Sequence, residues 1–99
     1  MISGKQRAYL RKLGHGLKPV MQIGKEGLSD PVITAIDEVL EKRELVKFAI
    51  LENAGLDARA VCDEVASRLL AEPVQAIGNK FIVYRRSGDE KNRKIELPR

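Results

Sequence analysis

Between Ser3 and Leu17 the chain repeats with a helical period: Gln6, Tyr9, Leu10, Leu13 and Leu17 fall within one arc at about 100° per residue. Ser3 is placed to cap this helix, and the opposite arc collects Lys5, Arg7, Arg11, Lys12 and His15. The segment is therefore expected to be amphipathic, with a core face and a basic outer face. Gly14 and Gly16 weaken its last turn, and Lys18-Pro19 biases the chain toward extended structure. Residues 20–23 then read as a short strand. Asp30 is the expected N-cap of a second helix with Pro31 at its first position, and Val32, Ile33, Ile36, Val39 and Leu40 supply its apolar stripe to about residue 42.

Residues 45–51 are aliphatic apart from Phe48 and Lys47, which predicts a strand buried on both faces. Asn53-Ala54-Gly55 is a turn, and Asp57 can cap a third helix whose inner face carries Val61, Cys62, Val65, Ala66 and Leu69, ending before Pro73. Two more strands, 74–77 and 81–85, are joined by Gly78-Asn79-Lys80, which is turn chemistry. The order helix, strand, helix, strand, helix, strand, strand predicts an α/β fold. It is a single compact domain over residues 1–86, with right-handed crossovers and a four-stranded mixed sheet on which the helices pack. Residues 87–99, a dense mixture of charges after Ser87-Gly88, are expected to be a flexible tail.

Charge changes this picture, because the signs are segregated. Residues 1–25 carry six bases and no acid, residues 26–72 eleven acids against five bases, and residues 73–99 seven bases against three acids. An anionic partner for one face follows, with nucleic acid ahead of membrane; the alternative is that basic and acidic segments neutralise each other in the fold. A length of 99 residues allows one core, and no apolar run is long enough to span a bilayer, so a cytoplasmic, monomeric protein is expected. One cysteine and one histidine exclude an internal disulfide and leave no basis for a zinc site.

Catalytic chemistry is hard to assemble from these residues. Cys62 lies on the inner stripe of the third helix, where a buried small hydrophobe is expected rather than a reactive thiolate. Asp37-Glu38 and Asp63-Glu64 are adjacent helical pairs whose side chains diverge. His15, among Arg11, Lys12 and Lys18, is either a partner for a nucleotide or an exposed helix-end residue. No catalysis and no cofactor are expected.

Gly24-Lys25-Glu26-Gly27 is the sharpest local signal. Two glycines let main chain turn tightly and approach a ligand, Lys25 adds charge, and the following helix start favours an anion. Eight glycines make about 0.6 Gly-x-x-Gly matches expected by chance, so the setting between strand and helix carries the weight. The only aromatics, Tyr9, Phe48, Phe81 and Tyr84, are too few for an aromatic sheet platform, which leaves backbone recognition by a glycine loop and basic helix, as in KH domains. Tyr84-Arg85-Arg86 could place a ring and two guanidiniums at a sheet edge, with core packing the favoured reading for the ring.

Several motifs together, Gly4-Lys5-Gln6-Arg7, Tyr9-Leu10-Arg11, Leu17-Lys18-Pro19-Val20, residues 22–28, and residues 75–80 with Val83-Tyr84-Arg85, resemble the CRM domain in its stand-alone, bacterial YhbY-like form. The resemblance spans about residues 2–86. It implies a fold similar to the C-terminal domain of translation initiation factor three. It further implies RNA binding through the glycine loop and neighbouring basic surface, and association with ribosomal RNA in precursors of the large ribosomal subunit as a non-catalytic assembly factor. Docking on an acidic ribosomal or assembly protein is the alternative. The expected RNA-binding set is Lys5, Arg7, Arg11, Lys12, His15, Lys18, Gly24, Lys25, Glu26, Gly27, Lys80, Arg85 and Arg86. Glu26 departs from a purely basic loop: it can repel phosphate, cap the next helix or select a base.

Overall fold

The computed structural model describes residues 2–99. Helix α1 (Gly4–His15) starts at a capping box: the Ser3 hydroxyl accepts from the Gln6 N–H at 3.1 Å, and the Gln6 side chain accepts from the Ser3 N–H at 2.9 Å. Strand β1 is only Gln22–Ile23, shorter than expected, although the Val20 N–H already donates to the Lys47 carbonyl. Helix α2 (Asp30–Arg43) is capped one residue earlier than expected, at Ser29, so Asp30 enters the first turn and complements the helix dipole. Strand β2 (Leu45–Ile50) follows, then helix α3 (Ala58–Leu69), where Asp57 caps as expected by accepting from the Ala60 N–H at 3.0 Å. Strands β3 (Glu72–Ile77) and β4 (Lys80–Tyr84) complete the sheet.

Sheet order is β1-β2-β4-β3, with β1 parallel to β2 and β4 antiparallel to both neighbours. The α/β fold and its four-stranded mixed sheet are those the hydrophobic pattern predicts, and the second strand of the hairpin is inserted centrally. Alternation along the strands sends residues to opposite faces. Val46, Phe48, Ile50, Phe81 and Val83 meet Ile36 and Leu40 of α2 and Val61, Cys62 and Val65 of α3. Phe48 and Phe81 are cross-strand partners whose rings stack at 5.2 Å, an arrangement worth about 0.5–1.5 kcal/mol beyond burial. On the other face Leu45, Val74, Ile82 and Tyr84 pack on Leu10 of α1.

Helix α1 is rotated from its expected orientation. Leu10 and Gly14 are buried against the sheet, whereas Tyr9 and Leu13 are 38% and 40% exposed and Leu17 is exposed as well. The reason is Gly14: a Cβ there would lie 2.7 Å from Ile82 Cδ1, so the missing side chain lets the helix settle onto the strand. Arg7 is correspondingly drawn inward, its Nε donating to the Pro73 carbonyl at 3.1 Å and its Nη2 lying 3.9 Å from Glu72.

Residues 87–99 depart further from expectation, because they pack on the domain instead of trailing from it. Glu41 and Glu44 sit one turn apart at the end of α2. One Glu41 oxygen accepts from the Ser87 hydroxyl and from the N–H groups of Gly88 and Asp89, at 2.9–3.1 Å. The buried Glu44 carboxylate accepts from the N–H groups of Ser87, Lys94 and Ile95, at 2.9, 3.0 and 3.4 Å. A 3-10 turn, Glu90–Asn92, lies between these contacts, and Ile95 and Leu97 pack beside Tyr84 and Leu45. Charge density suggested solvation; two carboxylates aimed at backbone donors reverse it.

Candidate nucleic-acid interface

The turn at Gly24–Gly27 is closed by the Gly27 N–H donating to the Gly24 carbonyl at 2.9 Å. Gly27 takes φ +66°, which an L side chain adopts only at a cost, and a Cβ on Gly24 would press to 3.3 Å of Leu51 Cδ1. Lys25 and Glu26 occupy the exposed apex. Neither makes a hydrogen bond or ion pair with the described residues, and the N-cap position of α2 belongs to Ser29, whose side chain makes no capping hydrogen bond, so Glu26 does not cap the helix. Behind the turn, Arg68 of α3 fixes the chain by donating to the Leu28 carbonyl at 3.2 Å.

Register builds a floor next to this turn. The pairs Gln22↔Ala49, Ala49↔Lys80 and Ile77↔Lys80 set one row across all four strands. Their chain neighbours Ile23, Ile50, Phe81 and Ala76 point into the core under α2 and α3, so the row faces the α1 side. Gln22, Ile77 and Lys80 are exposed there. Asn79 holds the hairpin turn to the end of β2: its carbonyl accepts from the Ile50 N–H at 2.7 Å, and its amide donates to the Ile50 carbonyl at 2.9 Å.

Helix α1 closes the other side of the floor, with its end tied to β2 by Lys47 Nζ donating to the His15 carbonyl at 3.4 Å. Arg11, beside Ile77 and Gln75, therefore reaches the β3 end of this row, while the exposed His15 and Lys18 lie in the connection from α1 to β1. Arg11, Lys12, Lys18, Lys25 and Lys80 have no partner among the described residues. Among the described residues only Arg7, through Glu72, joins the basic first segment by an ion pair to an acid of the middle segment, so mutual neutralisation does not account for the charge of residues 1–25.

Other expected residues lie elsewhere. Lys5 donates to the Arg99 carbonyl at 3.1 Å, at the end of the sheet marked by the row Glu72, Tyr84 and Leu45. Arg85 is 18% exposed and turned onto α2, donating to Asp37 Oδ1 at 2.6 Å and to the Leu69 and Asp37 carbonyls, with Glu41 at 3.7 Å. Its charge serves the fold. Arg86 is exposed in a groove with Arg93 and Arg99, again away from the turn, and Tyr84 is buried as favoured. Lys12 is exposed on the outer side of α1. Sequence reasoning missed Gln22 and Ile77, which only strand register brings to the site.

Cys62 is buried, and burial, with Asp63 adding to it, pushes its thiol up to about 12. The thiol stays protonated at neutral pH. Among the described residues no group of histidine, cysteine and acidic side chains is arranged to hold a metal ion, and no helix is long and apolar enough to cross a membrane.

The CRS1/YhbY (CRM) domain family model matches residues 2–85. Among curated proteins, the probable RNA-binding protein YqeI of Bacillus subtilis is 40% identical over 99% of this chain and 100% of its own length. An RNA-binding protein of Haemophilus influenzae is 34% identical over 99% of this chain and 96% of its own. The solution structure of a hypothetical protein from Staphylococcus aureus superposes with a TM-score of 0.82 at 41% identity, covering 99% of this chain and 100% of that one.

Proposed function

The chain belongs to the CRS1/YhbY (CRM) domain family, and we propose that it binds RNA, without catalysis, through the glycine turn and the basic end of the sheet beside it. One observation carries this reading. Lys25 at the apex of the exposed turn, Lys80 in the row across the same end of the sheet, Arg11 at the β3 edge of that row and Lys18 in the connection from α1 to β1 are all exposed and, among the described residues, have no partner. Unpaired cations on an accessible surface are what a phosphate backbone neutralises. Gly27 sets the turn by its backbone conformation, Lys25 supplies charge at the apex, and the exposed Gln22, Lys80 and Ile77 offer a surface for a strand across the sheet end. Glu26, exposed at the apex with no partner among the described residues, either contacts a base donor or sets a limit on phosphate approach.

The RNA proposed is ribosomal RNA in precursors of the large subunit, with this protein as an assembly factor in the cytoplasm. That reading rests on the family motifs together with the basic surface. Four to six phosphate contacts give a log–log salt slope of about −3 to −4 for single-stranded RNA. Lys25→Glu combined with Lys80→Glu is expected to weaken binding by about tenfold or more, roughly 1.4 kcal/mol, at unchanged melting temperature. Fluorescence anisotropy of labelled RNA measures the affinity and its salt slope, a thermal melt the stability, and a salt-independent affinity contradicts the proposal. In cell extract, co-sedimentation with ribosomal particles should be abolished by nuclease; sedimentation that survives assigns the anchor to protein.

A further inference from the structure

Beyond the turn, a groove of about 480 Å³ wraps the outer edge of β3 from α1 to α3. Arg7 and Arg11 wall it on one side and Arg59 on the other, with Asp63 the only acid in its lining. Arg11 and Ile77 belong both to this groove and to the basic end of the sheet, so the two surfaces are continuous. Among the described residues Arg11 has no hydrogen-bond or ion-pair partner, and Arg59, its side chain 75% exposed, pairs with Asp63 alone, at 4.0 Å.

We infer that this groove takes a second stretch of single-stranded RNA, which passes from the glycine turn across Lys80 and Ile77 and around the β3 edge between Arg11 and Arg59. The inference rests on the proposed RNA binding and extends its path. Guanidinium groups suit the task, because they pair with phosphate oxygens in two directions and stack on bases where aromatic rings are lacking. An acidic peptide is the competing occupant, and an exposed strand edge is its usual template. This edge is a poor one. Pro73 has no N–H, its carbonyl already accepts from Arg7, and the ladder is broken by a register shift between Pro73 and Gln75.

The test uses the full chain and oligouridine of about 4 and about 12 nucleotides, lengths that separate one contact surface from two. For the wild type the longer RNA should bind more tightly, with a steeper salt slope. Arg59→Ala and Arg59→Glu should weaken the longer RNA about threefold to tenfold and make its salt slope shallower by about 0.7 per lost contact. Both should leave the shorter RNA and the melting temperature unchanged. Unchanged binding of the longer RNA by both Arg59 variants, while Lys25→Glu weakens both lengths, overturns the groove and leaves the turn intact. If the Lys25 and Arg59 variants all bind like the wild type, both the turn and the groove are overturned as the site, and a wild type that binds neither length overturns the RNA reading itself. If a polyglutamate peptide binds in an Arg59-dependent way while RNA does not, the groove belongs to a protein partner.

Discussion

Leu70 ends α3 in the left-handed region, at φ 54° and ψ 46°, with 88% of its surface open to solvent. That backbone costs a non-glycine residue roughly 1–2 kcal/mol, and here the side chain recovers little of it through burial. Leu70→Gly is therefore expected to stabilise the protein by about 0.5–1 kcal/mol after glycine's own entropy loss, read as an upward shift in urea midpoint at constant m-value. Glu44 adopts the same unusual sign, φ 64°, for a different reason: there the conformation aims a buried carboxylate at three backbone donors. At this scale the sequence spoke where the signal was local. Asp57 as a cap and Cys62 as a buried thiol could be read from their neighbours, whereas the Arg85 contacts with Asp37 and Glu41 depend on how β4 meets α2 and have no local trace.

Packing between elements turns on the contact of α1 with β4. Gly14→Ala adds a methyl 2.7 Å from Ile82 Cδ1, an overpacking of about 1–3 kcal/mol set against about 1 kcal/mol gained in helix propensity. Ile82→Val removes that Cδ1 and alone costs about 0.5–1.5 kcal/mol. In the Gly14→Ala background it should cost less or stabilise, a coupling that thermal melts of the four proteins in a double-mutant cycle will resolve. The same contact explains why the orientation of α1 was misread. Hydropathy marks apolar side chains, so Tyr9, Leu13 and Leu17 suggested the inner face, while a glycine that makes close approach possible carries no apolar signal. Helices α2 and α3 were legible because their stripes are unbroken by glycine. The glycine turn was legible for a similar reason, being contiguous in sequence, but the Gln22–Ala49–Lys80–Ile77 row exists only once four strands are in register.

Across the whole molecule, the C-terminal residues act as a strap that closes the α1 side of the sheet. Ile95 and Leu97 cover apolar surface, and Glu41 and Glu44 hold the backbone between them and β4. Glu44→Gln substitutes a donor for one of two acceptor oxygens among three N–H groups, so a loss of about 1–3 kcal/mol is expected. Hydrogen exchange should show it first at the amides of Ser87, Lys94 and Ile95, ahead of those in β2 and β4. Protection retained on those three amides in the variant would show that apolar packing alone holds the strap.

The strap also decides where the polypeptide leaves the domain. Gln6 donates to the Pro98 carbonyl at 2.9 Å and the Ile2 N–H lies 3.4 Å from Glu72, so both described ends meet beside the first residue of β3. The glycine turn follows β1 at the opposite end of the sheet, about 17 Å away along the strand direction. Sequence attached at either end would emerge away from the glycine turn, and a short linker could join the ends to each other. The domain is thus wired like a bead whose string passes through one pole, able to be repeated in tandem or circularly permuted while its opposite pole stays free.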